Sequence, residues 1–247
     1  MSDSLSATTV MIEGADGDDI EAYLATPDSR ENRGGVVVIH HMPGYDRGSK
    51  EIVRRFATIG YDAICPNLYW RDAPGASPDD AAAAGRANGG VPDKRLIGDV
   101  SGAVTFLREL PANNGKVGTI GYCSGGRQSV LAATAVDIDA AVDCYGAFVT
   151  GTPPEGHPLQ VSNLVDRIAD IRCPILGLFG NDDKYPSAEQ VDEFEQLLKD
   201  NGKTYEFHRY DDAGHAFFSV ERPSYRPEAA KDGWAQIETF FGARLAV

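Results

Sequence analysis

Short apolar runs alternate along the chain with segments in which apolar residues recur every three or four positions. The apolar runs predict strands at residues 8–13, 20–25, 34–40, 61–65, 117–120, 140–144, 174–179 and 204–210. The helical spacing predicts helices at residues 49–59, 79–86, 93–110, 126–133, 187–199 and 227–245. This alternation predicts an α/β fold with a doubly wound, mostly parallel sheet. The turn residues 14–18 between the first two strands predict an N-terminal antiparallel hairpin.

Residues 71–92 differ in character from the rest of the chain, because they are rich in proline, glycine and alanine. We interpret them as an insertion with one short helix, lying over the active site rather than in the core. No internal repeat or linker marks a second domain, so residues 1–247 are predicted to form a single domain.

The composition limits the classes of function. A formal net charge of −14 and a pI near 4.7 argue against nucleic acid and anionic membrane surfaces as partners. A polar start and the lack of a long apolar run predict neither a secretory signal nor a membrane span. No metal site is predicted, since no C-x-x-C motif or suitably spaced histidine pair occurs, and a reducing cytoplasm is the expected location. The four cysteines are widely spaced: Cys65, Cys123, Cys144 and Cys173.

The strongest motif is residues 121–125, GYCSG, which lie between a predicted strand and a predicted helix. This is the G-x-S-x-G nucleophile elbow with cysteine in place of serine. Cys123 would stand at the first turn of a helix, where the positive end of the helix dipole favours a thiolate. The alternative interpretation is a glycine-rich turn that holds a structural cysteine.

Two further strand ends carry groups that complete a catalytic triad. In a doubly wound sheet, catalytic residues collect at the carboxyl ends of the strands. Asp182 and Asp183 follow one strand, and His215 follows the last. The order nucleophile, acid, histidine is that of α/β-hydrolases. We prefer Asp183 to Asp182, because the third position after Gly180 would direct its carboxylate to the histidine; His215 could otherwise be a surface loop residue.

These residue types predict acyl transfer. His215 would take the thiol proton of Cys123, and Asp183 would orient the imidazole ring. The backbone N–H of Ser124 and one N–H from the loop after Ile39 would stabilise the oxyanion. A thioester acyl-enzyme would follow, and activated esters and lactones suit such a nucleophile.

With these residues identified, the chain resembles the dienelactone hydrolase (carboxymethylenebutenolidase) family over nearly its full length. The matching stretches are residues 67–75 (NLYWRDAPG), 121–126 (GYCSGG), 180–183 (GNDD), 213–217 (AGHAF) and 222–230 (RPSYRPEAA). The resemblance implies an α/β-hydrolase fold and a cofactor-free enzyme that opens a small anionic lactone or cleaves a related ester. It leaves the choice between a monomer and a small homo-oligomer open.

The resemblance also assigns residues around the triad. Arg71 falls on an arginine that binds the substrate carboxylate in the family, although a surface arginine before a loop would look the same. The second such arginine is replaced by Ser219, so Arg222 is a displaced candidate. His41 stands where well-known members have a glutamate that controls the thiol, and Met42 follows as the second oxyanion donor. A further candidate for substrate contact is Tyr145, directly after a predicted strand.

Two alternative functions remain open at this stage. The first is a general carboxylesterase or thioesterase for neutral acyl substrates, which the loss of the second arginine favours. The second is a catalytically silent hydrolase fold that binds a ligand or senses thiols, although the complete triad argues against it.

Overall fold

The computed structural model describes residues 4–28, 33–42 and 44–246. The described residues form strands β1 (Leu5–Glu13), β2 (Asp19–Pro27), β3 (Arg33–Ile39), β4 (Asp62–Pro66), β5 (Asn113–Tyr122), β6 (Ala140–Cys144), β7 (Ile175–Gly180) and β8 (Tyr205–Tyr210). They form helices α1 (Arg47–Thr58), α2 (Pro78–Ala87), α3 (Asp93–Glu109), α4 (Ser124–Ala135), α5 (Ala188–Asp200) and α6 (Pro227–Leu245). Short 3-10 helices at Ala15–Gly17 and Val165–Asp170 were not predicted.

The strands join one sheet in the order β1-β2-β4-β3-β5-β6-β7-β8. β1 pairs antiparallel with β2, and β2 pairs antiparallel with β4. The remaining pairs, from β4–β3 through to β7–β8, are parallel. The predicted doubly wound, mostly parallel sheet with an N-terminal hairpin is therefore confirmed.

Apolar residues pack on both faces of this sheet. On one face the core residues of α1 and α6, such as Phe56 and Phe241, form one buried cluster. On the other face α3, α4 and α5 contribute residues such as Leu96, Val130 and Phe194 to a second cluster. Every residue of β6 and of β7 is buried, as expected for strands covered on both faces. The central strands are thus a rigid support for the loops at their ends.

The loops that follow the parallel strands all lie at the end of the sheet formed by the carboxyl ends of these strands. The loops that follow β3, β5, β6, β7 and β8 all leave the sheet there, as the parallel pairing requires. Residues 71–92, which include α2, connect β4 to α3, and Gly90 and Val91 line a small cavity with Ser124. This end of the segment therefore reaches the elbow. Ala81, Ala82 and Val91 belong to a buried core cluster, so the expectation that the segment lies outside the core is wrong. The single-domain assignment stays a prediction. Over the described part of the chain, none of the helices combines the length and apolar character needed to cross a bilayer.

Candidate active site

Cys123 stands at the junction of β5 and α4 in a strained backbone conformation. It is the N-cap of α4, with φ 57° and ψ −122°, a backbone conformation that residues other than glycine rarely adopt. A Cβ on Gly121 would lie 1.8 Å from the Gly125 carbonyl oxygen, and one on Gly125 would lie 2.3 Å from the Ile39 oxygen. Both glycines are needed because the turn brings these backbones together, as expected for a nucleophile elbow.

His215 lies in the loop after β8 and is paired with Asp183, in the loop after β7. The His215 Nδ1 donates to Asp183 Oδ2 at 2.8 Å. Asp183 is buried, and its second oxygen accepts the Tyr185 N–H at 2.9 Å, which fixes the carboxylate. Asp182 is exposed to solvent. The structure therefore brings His215 to Asp183 rather than to Asp182.

The ionisation of His215 is controlled by its two neighbours. Burial acts to lower its pKa, but the hydrogen bonds to Asp183 and to Cys123 outweigh burial and raise the pKa to about 10. The Tyr145 ring packs edge-on against the imidazole, with a centroid distance of 5.2 Å. Cys123, His215 and Asp183, the predicted nucleophile, base and acid, are thus brought together, and the buried Tyr145 packs against one side of the histidine.

The loop after β3 is held by His40, which the sequence marked only as a strand-end residue. The ring is buried, and burial lowers its pKa to about 4, so it is neutral near pH 7. Its Nε2 accepts the Leu68 N–H at 3.2 Å, which leaves the proton on Nδ1. The Nδ1–H therefore donates to the His41 carbonyl at 2.9 Å. In this way His40 fixes the peptide just before Met42, the predicted oxyanion donor.

His41 lies in the same loop after β3, directly before Met42. Its Nε2 lies 3.1 Å from Asp46 Oδ2, and the other oxygen of Asp46 accepts the Ser49 N–H at 2.8 Å, which caps α1. Burial opposes ionisation of Asp46, yet the hydrogen bonds from His41 and Ser49 hold its pKa well below the usual value. A second histidine–carboxylate pair thus stands where the family resemblance implies a glutamate.

Two cavities meet at Cys123. The smaller one is lined by His41, Met42, Tyr122, Cys123, Tyr145, His215, Ala216, Ser219 and Arg222. The larger one, of about 460 Å³, is lined by Cys123, Ser124, Ala147, Phe148, His157, Leu159, Asp182, Asp183, Lys184, Tyr185 and His215. The structure thus brings Arg222, Tyr145, Met42 and Ser124 around the triad.

Arg71 has a different environment. Its guanidinium donates to both oxygens of the buried Asp99 at 3.0 Å, to Asp18 at 2.8 Å and to the Ala15 carbonyl at 3.1 Å. It does not line the cavities described beside Cys123. The structure does not bring Arg71 to the triad, and a role in substrate binding stays a prediction.

Three residues with aromatic rings in the larger cavity were not predicted from the sequence. His157 was interpreted as an ordinary histidine of a proline-rich loop, and Phe148 and Tyr185 were not considered, yet all three line the larger cavity. Phe148 follows β6 and Tyr185 follows β7, so the rule that ligands meet at strand ends was a usable signal for both. His157 offered no such signal, because it lies in an irregular loop well beyond its strand.

Comparisons with known proteins agree with this geometry. A model of the dienelactone hydrolase family matches residues 20–245. A Methylorubrum extorquens protein named "Putative carboxymethylenebutenolidase" is 33% identical over 225 residues, which cover 90% of this chain and 76% of that protein. A protein of the same name from Escherichia coli K12 is 34% identical over 231 residues, with coverages of 91% and 83%.

A solved structure gives the same result. The crystal structure of a "Putative Dienelactone Hydrolase" from Klebsiella pneumoniae superposes with a TM-score of 0.84 at 28% identity, and covers 97% of this chain and 99% of that one. Because the family match spans most of the chain and the relatives exceed 30% identity, the resemblance is confirmed. The chain belongs to the dienelactone hydrolase family of the α/β-hydrolase superfamily and is a carboxylic ester hydrolase that acts on an ester or lactone.

Proposed function

We propose that this enzyme opens a small anionic lactone, or cleaves a related ester, through a thioester on Cys123. The observation that carries the proposal is the His215–Asp183 hydrogen bond of 2.8 Å. His215 lines both cavities together with Cys123, and Cys123 contributes to the raised pKa of the histidine. A base that touches the nucleophile and is itself oriented by a buried acid is the arrangement that nucleophilic catalysis requires.

In the first half of the reaction, the proton of the Cys123 thiol resides on His215, whose raised pKa of about 10 favours the protonated ring, and Cys123 Sγ attacks the carbonyl carbon. The carbonyl oxygen becomes an oxyanion, which the backbone N–H groups of Ser124 and Met42 stabilise. The intermediate then collapses, the carbon–oxygen bond breaks, and the leaving oxygen takes the proton from His215. The acyl group is left on Cys123 as a thioester; in a lactone the new hydroxyl remains attached to it.

In the second half, water attacks the thioester carbon and gives its proton to His215. The carbon–sulfur bond breaks, the thiolate leaves, and the carboxylic acid is released. Asp183 stabilises the imidazolium in both halves, since it accepts the Nδ1–H throughout. Because no redox change occurs, the cycle needs only the substrate and water.

Arg222 is the reason to propose a substrate with a negative charge. Together with Ser219 and Tyr145 it lines the smaller cavity beside Cys123, and an arginine there would bind a carboxylate. A neutral ester is the second candidate, and the specific observation in its favour is that Arg71 is ion-paired with Asp99 and Asp18. Only one of the two arginines that the resemblance implies then remains to bind an anion.

The test uses wild type, Cys123→Ala and a control cysteine variant, Cys173→Ala. Cys173 is buried, precedes β7 whereas Asp183 follows it, and lines neither cavity. Each protein is assayed on a dienelactone and on p-nitrophenyl acetate by absorbance. We expect turnover in wild type and in Cys173→Ala, and a loss of about 10⁴-fold or more in Cys123→Ala.

Each other outcome changes a different part of the proposal. Turnover of p-nitrophenyl acetate without the lactone would keep the cysteine mechanism and favour the general esterase. Turnover that survives in Cys123→Ala would refute the thioester. If wild type is silent on both substrates and Cys123 resists iodoacetamide at neutral pH, the silent binding module is the better description.

A further inference from the structure

We propose that the substrate carries a flat apolar group, such as a phenyl ring, on one side of its reacting carbonyl, and that the larger cavity binds this group. The inference rests on the proposed function, because it takes Cys123 as the nucleophile. It goes beyond that function by naming a second part of the substrate. The pocket for this group is formed by Phe148, His157, Leu159 and Tyr185.

The first argument is size. The larger cavity measures about 460 Å³, whereas the cavity on the Arg222 side holds about 20 Å³. Sites for drug-sized ligands occupy roughly 300–1,000 Å³, and about 10–15 Å³ is enough for a single water. A compact bicyclic or monocyclic lactone held at Cys123 would leave most of the larger cavity to water. An additional group on the substrate would fill it.

The second argument is the chemistry of the walls. Phe148 is at the centre of an aromatic group, with its ring 5.0 Å from that of His157 at 78° and 5.6 Å from that of Tyr185 at 41°. These are the offset and edge-to-face distances at which aromatic rings attract one another, and a substrate ring can join such a set. Leu159 and Ala147 add aliphatic surface to the same cavity.

The third argument is the exposure of the aromatic side chains. Tyr185 is 40% exposed and is one of the few large apolar residues that the described part of the chain leaves open to solvent. Phe148, in contrast, is fully buried, so the surrounding packing fixes its ring in the wall of the cavity. The fixed ring of Phe148 and the exposed ring of Tyr185 form a binding surface that exists before the substrate binds. Few side chains therefore need to be ordered on binding.

The two cavities also fix where the reacting carbonyl lies. Cys123 and His215 line both of them, so the carbonyl would stand at their junction. One side of the substrate then points to Arg222 and the other to Phe148 and Tyr185. The geometry thus points to an ester or lactone with a small, anionic end and a larger, aromatic end.

The substrate test compares three esters of similar intrinsic reactivity: methyl acetate, benzyl acetate and methyl 3-phenylpropanoate. The second carries the ring on the alcohol side, and the third carries it on the acyl side. Hydrolysis is followed by pH-stat, and p-nitrophenyl acetate is assayed in parallel with Cys123→Ala. For one of the two aromatic esters we expect kcat/KM to exceed that of methyl acetate by about tenfold or more. The ester that is preferred identifies the side on which the ring binds.

Variants test the pocket itself. Tyr185→Ala removes one ring, and Leu159→Trp fills the cavity from an irregular loop, where a larger side chain need not disturb the core. Both should reduce the aromatic preference by about three- to tenfold. Met11→Ala is the matched control, because Met11 is 49% exposed on β1 at the opposite edge of the sheet. It should leave the preference unchanged.

The outcomes separate this inference from the function on which it rests. A preference that is absent in wild type, or that is insensitive to both pocket variants, overturns the aromatic site. If Cys123→Ala still abolishes p-nitrophenyl acetate hydrolysis in that case, the proposed function stands. If wild type turns over none of the four esters, both fail together.

Discussion

At the scale of single residues, the charge state of His215 depends on Asp183 and on Cys123. The ordinary pKa of 6.5 is raised to about 10 in the folded protein, although burial alone would lower it. A raised pKa means that the protonated ring stabilises the fold. This contribution is fully present below about pH 6.5 and is lost as the pH rises through about 10.

Asp183→Asn should therefore lower the pKa of His215, because Cys123 alone then opposes the effect of burial. NMR titration of the imidazole, assigned with His215→Gln, measures this directly. The same variant should lose about 1.5–3 kcal/mol of unfolding free energy at pH 7, and the loss should shrink above pH 10. Asp182→Asn is the matched control, since Asp182 is exposed and adjacent. An unchanged pKa in Asp183→Asn, or an equal shift in the control, would show that the pair does not act as described.

The sequence was a better guide to the grouping of the three triad candidates than to their surroundings, for a physical reason. Cys123 directly follows β5, and Asp183 and His215 lie in the loops after β7 and β8, so a rule about strand ends was enough to group them. The partners of Arg71 are instead 53 and 28 residues away in the chain, at Asp18 and Asp99. No periodicity encodes such ion pairs, and only the folded structure shows that this guanidinium is already bound.

At the scale of elements, the predicted strands and helices all occur, and the differences lie at their ends. β5 begins at Asn113, whereas its apolar run begins at Val117, because residues 113–116 are polar and partly exposed. The 3-10 helix Val165–Asp170 was missed since six residues are too few to show a helical period. The sequence also did not show that His40 holds the loop after β3, because this role depends on a contact with Leu68 from another loop.

This loop supplies a prediction about catalysis. His40→Phe keeps an aromatic ring but removes the hydrogen bonds to the His41 carbonyl and the Leu68 N–H. The Met42 N–H would then be less well aligned with the oxyanion, which exists only in the transition state. We expect kcat to fall about 10- to 100-fold with little change in KM, measured on p-nitrophenyl acetate.

The control for this variant is His208→Phe, on the edge strand β8, where the histidine bonds only to Glu206 among the described contacts. It should retain wild-type kcat. Melting temperatures of both variants show whether the fold is intact. A rise in KM at constant kcat in His40→Phe would instead mean that His40 shapes substrate binding and not the oxyanion site.

At the scale of the whole molecule, Arg71 connects three parts of the fold. Its partners are Asp18 and Ala15 in the hairpin connection and Asp99 on α3, while Arg71 itself lies after β4. Asp99 is fully buried and also accepts the Ala15 N–H at 2.8 Å. Because a buried carboxylate without a counter-charge is strongly unfavourable, this arginine stabilises the packing of the hairpin against α3.

Arg71→Met should therefore lower the free energy of unfolding by about 3–5 kcal/mol, measured by urea denaturation. The double variant Arg71→Met/Asp99→Asn, which also removes the buried charge, should recover part of that loss. Specificity gives the second measurement. It is the ratio of kcat/KM for p-nitrophenyl hemisuccinate, which carries a carboxylate, to kcat/KM for the neutral p-nitrophenyl butanoate. This ratio should stay within about twofold of wild type in Arg71→Met, and it should fall about tenfold in Arg222→Met. A tenfold fall in Arg71→Met with unchanged stability would show that Arg71 binds the substrate carboxylate after all.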